Sequence, residues 1–329
     1  MGSGTPAGGV EYDGHLPVLR EDMRAITYSR YGGPDVLELT DLPTPKVGPD
    51  AVLVRVKAAS VNPVDWKVRQ GYLDPIMDVA FPVVPGWDVA GVVERVGLDT
   101  PELEVGDEVF GYVRKDWVQG GTFAEYVSAP VRTLARKPAS LSFEEAAAIP
   151  LAGLTAYQSI RRAGVTAGQT VLVHAAAGGV GGFAVQIARA LGARVVGTAS
   201  ERNHDHLRDL GAEPVTYGDG LVDRVRALAP DGVDVILDYG SDDAVATAPQ
   251  LLAPGGTIAS ILDPKARDEL GGHHVWVRPS TADLEALGAL ADAGKLSVDV
   301  AQVFDLADAA AAHEASATGH VRGKVVVRV

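Results

Sequence analysis

The stretch "VLVHAAAGGVGGFAVQIARALGARVVGTAS", residues 171–200, brings together the groups most suited to chemistry: a glycine-rich turn between an apolar strand-like run and an amphipathic helix-like run. A second strand-like run follows at the distance expected of a βαβ unit. In the pattern Gly-x-Gly-x-x-Gly the first glycine permits a tight turn, the second lets backbone approach a pyrophosphate, and the third lets helix and strand pack closely. Here the register is Ala176, Gly178, Gly181. The second and third roles are kept, and Ala176 adds only a methyl to the first. A helix opening near Gly179 offers unpaired N–H groups and the positive end of its dipole to a phosphate. Ala177, Gly178, Gly179, Val180 and Gly181 are therefore the candidate phosphate cradle.

The residues after the second strand bear on which dinucleotide fits. A ribose 2′-hydroxyl is usually held by an Asp or Glu at that strand's end. This strand ends in Gly197-Thr198-Ala199-Ser200, with no carboxylate near Ala199. A 2′-phosphate thus meets no repulsion there. Ser200 can donate a hydrogen bond, Arg202 can make a charge-assisted pair, and Tyr217 can close the adenine side. Glu201 is discordant unless it faces solvent. NADP(H) is favoured over NAD(H).

The surrounding elements must position this loop. From residue 24 to 136 the chain is strand-like, with short β-branched runs cut by Gly, Pro and Asp. Ser142 and Glu145 form a capping box that opens a short helix, interrupted at Pro150. From Val171 onward strands and helices alternate, as in right-handed βαβ units on a parallel sheet. The strands are "TVLVHAA", "RVVGTAS", "EPVTY", "VDVILDYG", "GTIASIL" and "HHVWVR", with helices at 182–191 and 204–210. A tail follows: helix 281–293, strand 301–306, helix 307–317 and the strand "KVVVRV". It is long for the nucleotide sheet alone and is expected to cross back to the first domain. Residues 1–22, rich in Gly and Pro, are expected to be a disordered leader, with Met23 a plausible start.

Composition removes several classes of function. The 329 residues suggest two domains. No apolar run approaches the ~20 residues that span a bilayer, nor is there a signal-peptide layout, so a cytoplasmic location is expected. A net charge of −14 without a dense Lys/Arg block disfavours nucleic acid. The absence of cysteine excludes disulfides, thiolate nucleophiles and cysteine-containing zinc sites. The pairs His204/His206 and His273/His274 read as solvated or locally packed side chains, and no metal site is expected.

Several motifs line up with one family. "MRAITYSRYGGPDVLEL", "VNPVDWKVRQG", "FPVVPGWDVAGVVERVG", "GDEVFGY", "GTFAEYV", "IPLAGLTAYQSI", "AAGGVGGFAVQIARALGARVVGTAS", "LLAPGGTIASI" and "GHVRGKVVVRV" occur in that order and cover essentially all of 23–329. The sequence resembles the medium-chain dehydrogenase/reductase superfamily in its zinc-independent quinone oxidoreductase (zeta-crystallin-like) branch. The resemblance implies an α/β fold with two parts: a GroES-like β-rich catalytic domain (23–148 and 281–329) and a Rossmann NADPH-binding domain with a doubly wound parallel sheet (149–280). It also implies hydride transfer from NADPH in the cleft between them, and a homodimer. Zinc-dependent relatives carry Gly-His-Glu where this chain has Gly86-Trp87-Asp88, and Cys where Asn62 stands. Without a Lewis acid, hydride delivery favours an electron-poor acceptor, a quinone or a carbon–carbon double bond conjugated to a carbonyl. The developing enolate then needs hydrogen-bond donors and a proton source.

By resemblance Asn62 and Lys67 lie near nicotinamide and substrate, and the "DWK" run is shared with some polyketide-associated enoyl reductases. Thr155 corresponds to a residue contacting the nicotinamide, its bland role being a hydroxyl bonded to its own helical turn. Tyr72 stands one residue from the position of a proton-donating tyrosine. Gly240 and Leu262 fall near the cofactor's ribose edge, and Val275 and Val277 beside the nicotinamide amide. Trp66, Trp87 and Trp117 are candidate pocket walls, with core packing the plainer role for Trp87. The expected activity is NADPH-dependent reduction of a quinone or enone, with no nucleic-acid or membrane partner. The alternatives are an enoyl-thioester reductase of a polyketide-type pathway and a non-catalytic NADPH-binding regulatory or structural protein.

Overall fold

The computed structural model describes residues 22–240, 243–319 and 321–329. Most of the expected leader lies outside the described residues. Asp22 and Met23 are inside a strand, Asp22–Thr27, which pairs antiparallel with Glu38–Pro43.

The β-branched runs of the first part form a seven-stranded sheet around the long central strand Ala51–Val61, which pairs with Asp88–Val96, Tyr126–Pro130 and Lys324–Arg328. The tail thus returns, its last strand adding directly to the first domain's sheet. Val300–Asp305 then joins Lys324–Arg328 in parallel at the edge. The capping box forms as expected: Ser142 accepts from the Glu145 N–H and opens the helix Phe143–Ala148. Pro150, at the first turn of the next helix, starts Pro150–Ala163, since its missing N–H is no loss there.

The second part is a six-stranded sheet, all of whose pairs are parallel. Its order runs Glu213–Val215, Arg194–Thr198, Thr170–Val173, Val233–Asp238, Leu252–Ser260, His273–His274. Numbered along the chain this is 3-2-1-4-5-6, the doubly wound order whose ligand crevice opens between the first and fourth strands, where the winding reverses. The strands read as nearly continuous apolar runs because helices cover both faces. Val171, Leu172, Val173, Ile236 and Leu237 are completely buried.

Some elements differ from the sequence expectation. The glycine-loop helix is Gly179–Ala190, opening where the phosphate argument put it and three residues before the 182–191 span, because glycines depress helix propensity but do not prevent an N-terminal turn held by packing. The run "HHVWVR" pairs only at His273–His274, its remainder being irregular beyond the sheet edge. Helices Pro63–Arg69, Leu221–Leu228 and Ala244–Leu251 had no predicted counterpart. The first spans seven residues, about two turns, and the other two span eight residues each, too short for apolar periodicity to declare itself.

Candidate nucleotide loop and active site

Strand Thr170–Val173 delivers the chain into a turn in which Ala175 takes a left-handed conformation, φ 53°. The strain of the tight turn is therefore carried by Ala175, one residue before the position the sequence pattern marks. Ala176 is fully buried and its N–H donates to the Thr198 carbonyl at 2.9 Å. The Ala175 N–H donates to Thr198 Oγ1 at 3.0 Å, so the second strand fixes the turn. A Cβ on Gly181 would stand 2.2 Å from the Ala175 carbonyl oxygen and 2.7 Å from Ala176 Cα. Helix and strand approach so closely that only glycine fits. At Gly178 an added Cβ would stand 3.3 Å from the Ala175 carbonyl oxygen, a tight contact, so that residue too lies close against the turn. Its own N–H is taken by the Ala175 carbonyl. The helix's first N–H groups, from Gly179, Val180 and Gly181, have no intrahelical acceptor. These N–H groups are the ones that would hold a pyrophosphate.

Ser200, half-buried, precedes the turn Glu201–Asn203. Asn203 Nδ2 donates to Ser200 Oγ at 3.4 Å. Glu201 is exposed, and Arg202 makes no ion pair among the described residues. Arg202 lines a cavity of about 460 Å³ together with Asn203, Asp299, Gln302, Thr318 and Arg322. Tyr217 and Leu262 are exposed, and Gly240 is exposed beyond strand Val233–Asp238, its N–H donating to Asp238 Oδ1 at 3.2 Å. Val275 is buried, its N–H donating to the Ser260 carbonyl, while Val277 is half-buried.

On the other side of the crevice the four candidate catalytic residues separate. Asn62 is 1% exposed and caps the helix Pro63–Arg69. Its Nδ2 donates to Asp88 Oδ2 at 2.8 Å and to the Ser60 carbonyl at 3.4 Å, and its Oδ1 accepts from Lys324 Nζ. Both amide hydrogens are spent inside the protein, so Asn62 presents no free donor to a substrate oxygen. Thr155 is buried and its hydroxyl donates to the Leu151 carbonyl at 2.7 Å, the bond to its own turn. Lys67 is half-buried, with its ammonium 5.5 Å from the Trp66 ring centroid and no carboxylate partner among the described residues. Tyr72 is 67% exposed. Trp87 packs edge-on to Tyr112 in the core, whereas Trp117 is exposed.

Around Asn62 lies a sealed ionic cluster that the sequence reading missed. Asp88 Oδ1 accepts from the Leu151 N–H at 2.8 Å, and its Oδ2 also accepts from Ser60 Oγ at 3.2 Å. Asp65 Oδ2 accepts from the Asn62 N–H at 2.7 Å. Lys324 Nζ reaches the Val61 carbonyl at 3.3 Å as well as Asn62. Burial pushes Asp65 up to about 7 and Asp88 up to about 6, opposed in both cases by the Lys324 charge and by hydrogen bonds to the carboxylate. Burial also pushes the Lys324 ammonium down, opposed by Asp88 and then Asp65. The available signal was a lysine heading the apolar run "KVVVRV", where a surface strand would alternate.

No group of three His, Cys, Asp or Glu side chains is placed to hold a metal ion among the described residues. The positions that resemble metal ligands hold an indole and an amide already bonded to a lysine. This donor set does not fit a zinc ion. No helix among the described residues is long and apolar enough to cross a membrane.

Residues 48–139 match the Alcohol dehydrogenase GroES-like domain family, and 210–327 match a family described as Zinc-binding dehydrogenase. The chain is 35% identical over 335 residues to an NADPH-dependent alkenal/one oxidoreductase, chloroplastic, of Arabidopsis thaliana, covering 99% of this chain and 83% of that protein. It is 34% identical to a 2-methylene-furan-3-one reductase of Solanum lycopersicum, covering 94% and 80%. The structure of a quinone oxidoreductase from Coxiella burnetii superposes with a TM-score of 0.83 at 35% identity, covering 94% of this chain and 99% of that one. A GroES-like sheet that receives the chain's last strand, a 3-2-1-4-5-6 nucleotide sheet and relatives along nearly the full length lead to one assignment: this enzyme is an oxidoreductase of the medium-chain dehydrogenase/reductase family, alongside its quinone and alkenal oxidoreductases.

Proposed function

We propose that the chain is an NADPH-dependent, zinc-free reductase of quinones or α,β-unsaturated carbonyls, acting in the crevice between its GroES-like part (23–148 and 281–329) and its Rossmann part (149–280). The observation that carries this reading is the phosphate cradle, where Gly181 packs helix on strand and the first N–H groups of the helix Gly179–Ala190 have no intrahelical acceptor. The cradle leads into a strand end with Ser200 and an unpaired Arg202 and no carboxylate at Ala199. The names of the alkenal/one and quinone oxidoreductases similar to this chain support the acceptor class. When bound, the nicotinamide supplies the hydride.

The chain's own residues divide the remaining work. The first N–H groups of the helix Gly179–Ala190 hold the pyrophosphate with partial positive charge. Arg202 and Ser200 hold the 2′-phosphate, Arg202 from the wall of the 460 Å³ cavity. Gly240, Leu262, Val275 and Val277 line the ribose and nicotinamide side, and Tyr217 the adenine side. Lys67 is the assigned donor to the oxygen of a developing enolate, since Asn62 and Thr155 spend their hydrogens internally. Tyr72, exposed just after the helix Pro63–Arg69, is the assigned proton source. A homodimer and a cytoplasmic location belong to the same proposal.

A steady-state panel of a simple quinone, an enone and an enoyl thioester tests the assignment. NADPH oxidation is expected with the quinone or the enone. Oxidation with none of the three overturns it, and oxidation with the thioester alone transfers it to the enoyl reductases.

A further inference from the structure

Lys324 touches three separate parts of the molecule. Its backbone N–H donates to the Asp299 carbonyl at 2.8 Å, and the preceding residue, Gly323, forms a parallel bridge with Gly178 in the phosphate cradle. Its stem lies along the cradle, because a Cβ on Gly179 would meet Lys324 Cδ at 3.0 Å and the Gly323 carbonyl oxygen at 3.3 Å. Its ammonium sits in the sealed cluster, on Asn62 Oδ1 and the Val61 carbonyl, facing Asp88 and Asp65. The side chain is only 5% exposed. A buried cation facing two carboxylates adds little net stability, because desolvation offsets the Coulombic gain. Stability alone is therefore a weak reason for this arrangement.

We propose that Lys324 is a positioning residue that couples the phosphate cradle to the helix Pro63–Arg69: its stem packs against Gly179, and its ammonium fixes Asn62, the N-cap residue whose N–H is held by Asp65 of that helix. The proposal rests on the nucleotide-binding reading of the cradle. Lys324 acts through Gly179 and Asn62 rather than on the reacting atoms. It sets the height of the loop that holds the phosphates and the orientation of the helix that carries Lys67.

Lys324→Met alone leaves two buried carboxylates without their cation, and such a loss is strongly destabilising. The test therefore uses Lys324→Met with Asp65→Asn, which keeps the stem, leaves one carboxylate, and retains the three donors to Asp88. NADPH affinity is read by fluorescence titration of the folded protein. The expected result is binding weaker by about tenfold or more, since that is what the loss of one charge-assisted hydrogen bond to a phosphate costs, with kcat for the accepted quinone or enone reduced in parallel.

A second measurement needs no cofactor. In thermal unfolding of the apo protein carrying Asp65→Asn throughout, Gly179→Ala and Lys324→Ala are expected to combine non-additively by about 2 °C or more, because removing the stem makes room for the added Cβ. Additive midpoints, or a double variant that binds NADPH within about twofold of wild type, overturn the coupling. Wild-type protein that fails to bind NADPH sinks the nucleotide reading and this proposal together. Wild-type binding with unchanged binding by the variant sinks this proposal alone.

Discussion

The close approach at Gly181 makes a sharp prediction. In Gly181→Ala the new Cβ falls 2.2 Å from the Ala175 carbonyl oxygen, 2.7 Å from Ala176 Cα and 2.9 Å from the Ala175 carbonyl carbon. All three are backbone atoms of the turn, so no side chain can swing aside. Restoring a non-bonded separation near 3.5 Å means moving the helix Gly179–Ala190 away from strand Thr170–Val173 by about 1 Å. Overpacking of that kind costs about 1–3 kcal/mol, and alanine's better helix propensity returns up to about 1 kcal/mol. A net loss of about 1–2 kcal/mol lowers the melting temperature by about 2–8 °C.

Displacing the helix N-terminus also weakens charge-assisted hydrogen bonds to a phosphate, each worth about 1.5–3 kcal/mol, so NADPH affinity falls by about tenfold or more. The neighbouring variant Gly182→Ala is the control. Its Cβ meets nothing closer than 3.9 Å, and it is expected to melt at or slightly above wild type, by alanine's helix propensity, and to keep wild-type affinity. Differential scanning fluorimetry with and without NADPH, together with a fluorescence titration, reads both quantities. A Gly181→Ala protein that melts and binds like wild type would refute the packing argument.

Other consequences follow from single contacts. Arg202→Ala is expected to weaken NADPH by about tenfold while leaving NADH nearly unchanged, in proportion to one lost charge-assisted pair; equal losses for the two nucleotides would remove Arg202 from the 2′-phosphate. Ala175→Gly relieves about 1–2 kcal/mol of left-handed strain but loosens the unfolded chain by about 0.4–1 kcal/mol. It is expected to melt at or slightly above wild type, and a clear fall in midpoint would count against the turn assigned here.

His313, fully buried against Phe123, accepts from the Arg69 guanidinium at 3.1 Å. Burial and then the Arg69 charge push it down to about 3 from 6.5. The unfolded chain therefore binds the extra proton first, and the stability this neutral histidine provides is present above 6.5. That stability is lost as pH falls toward 3, at up to about 1.4 kcal/mol per pH unit. Replacing the histidine by glutamine, His313→Gln, should flatten that acid limb in urea melts at pH 7, 5.5 and 4; an unchanged slope would exclude His313 as its cause.

Local chemistry alone made much of the molecule readable. The alternation of apolar runs with helical periods from Val171 onward could only be buried as a parallel sheet covered on both faces. The Ser142/Glu145 box announced its helix because capping is a contact within four residues. Gly181 was assigned its packing role from spacing, and the 2.2 Å approach supplies the physical reason. The tail's return to the first domain was legible as surplus chain, beyond what the nucleotide sheet could use.

Only the tertiary structure decided how polar atoms were partnered. Asn62, singled out as a donor near substrate, turns both amide hydrogens to Asp88 and the Ser60 carbonyl because Ser60 and Asp88 meet across adjacent strands. Lys324, 262 residues away in sequence, reaches the same amide because the last strand pairs with Ala51–Val61. The left-handed turn falls on Ala175 rather than Ala176 because Thr198, on the neighbouring strand, holds the backbone N–H groups of both alanines. Spacing along a chain records what a residue can do with its near neighbours; which distant group holds its hydrogen bond is set by sheet register.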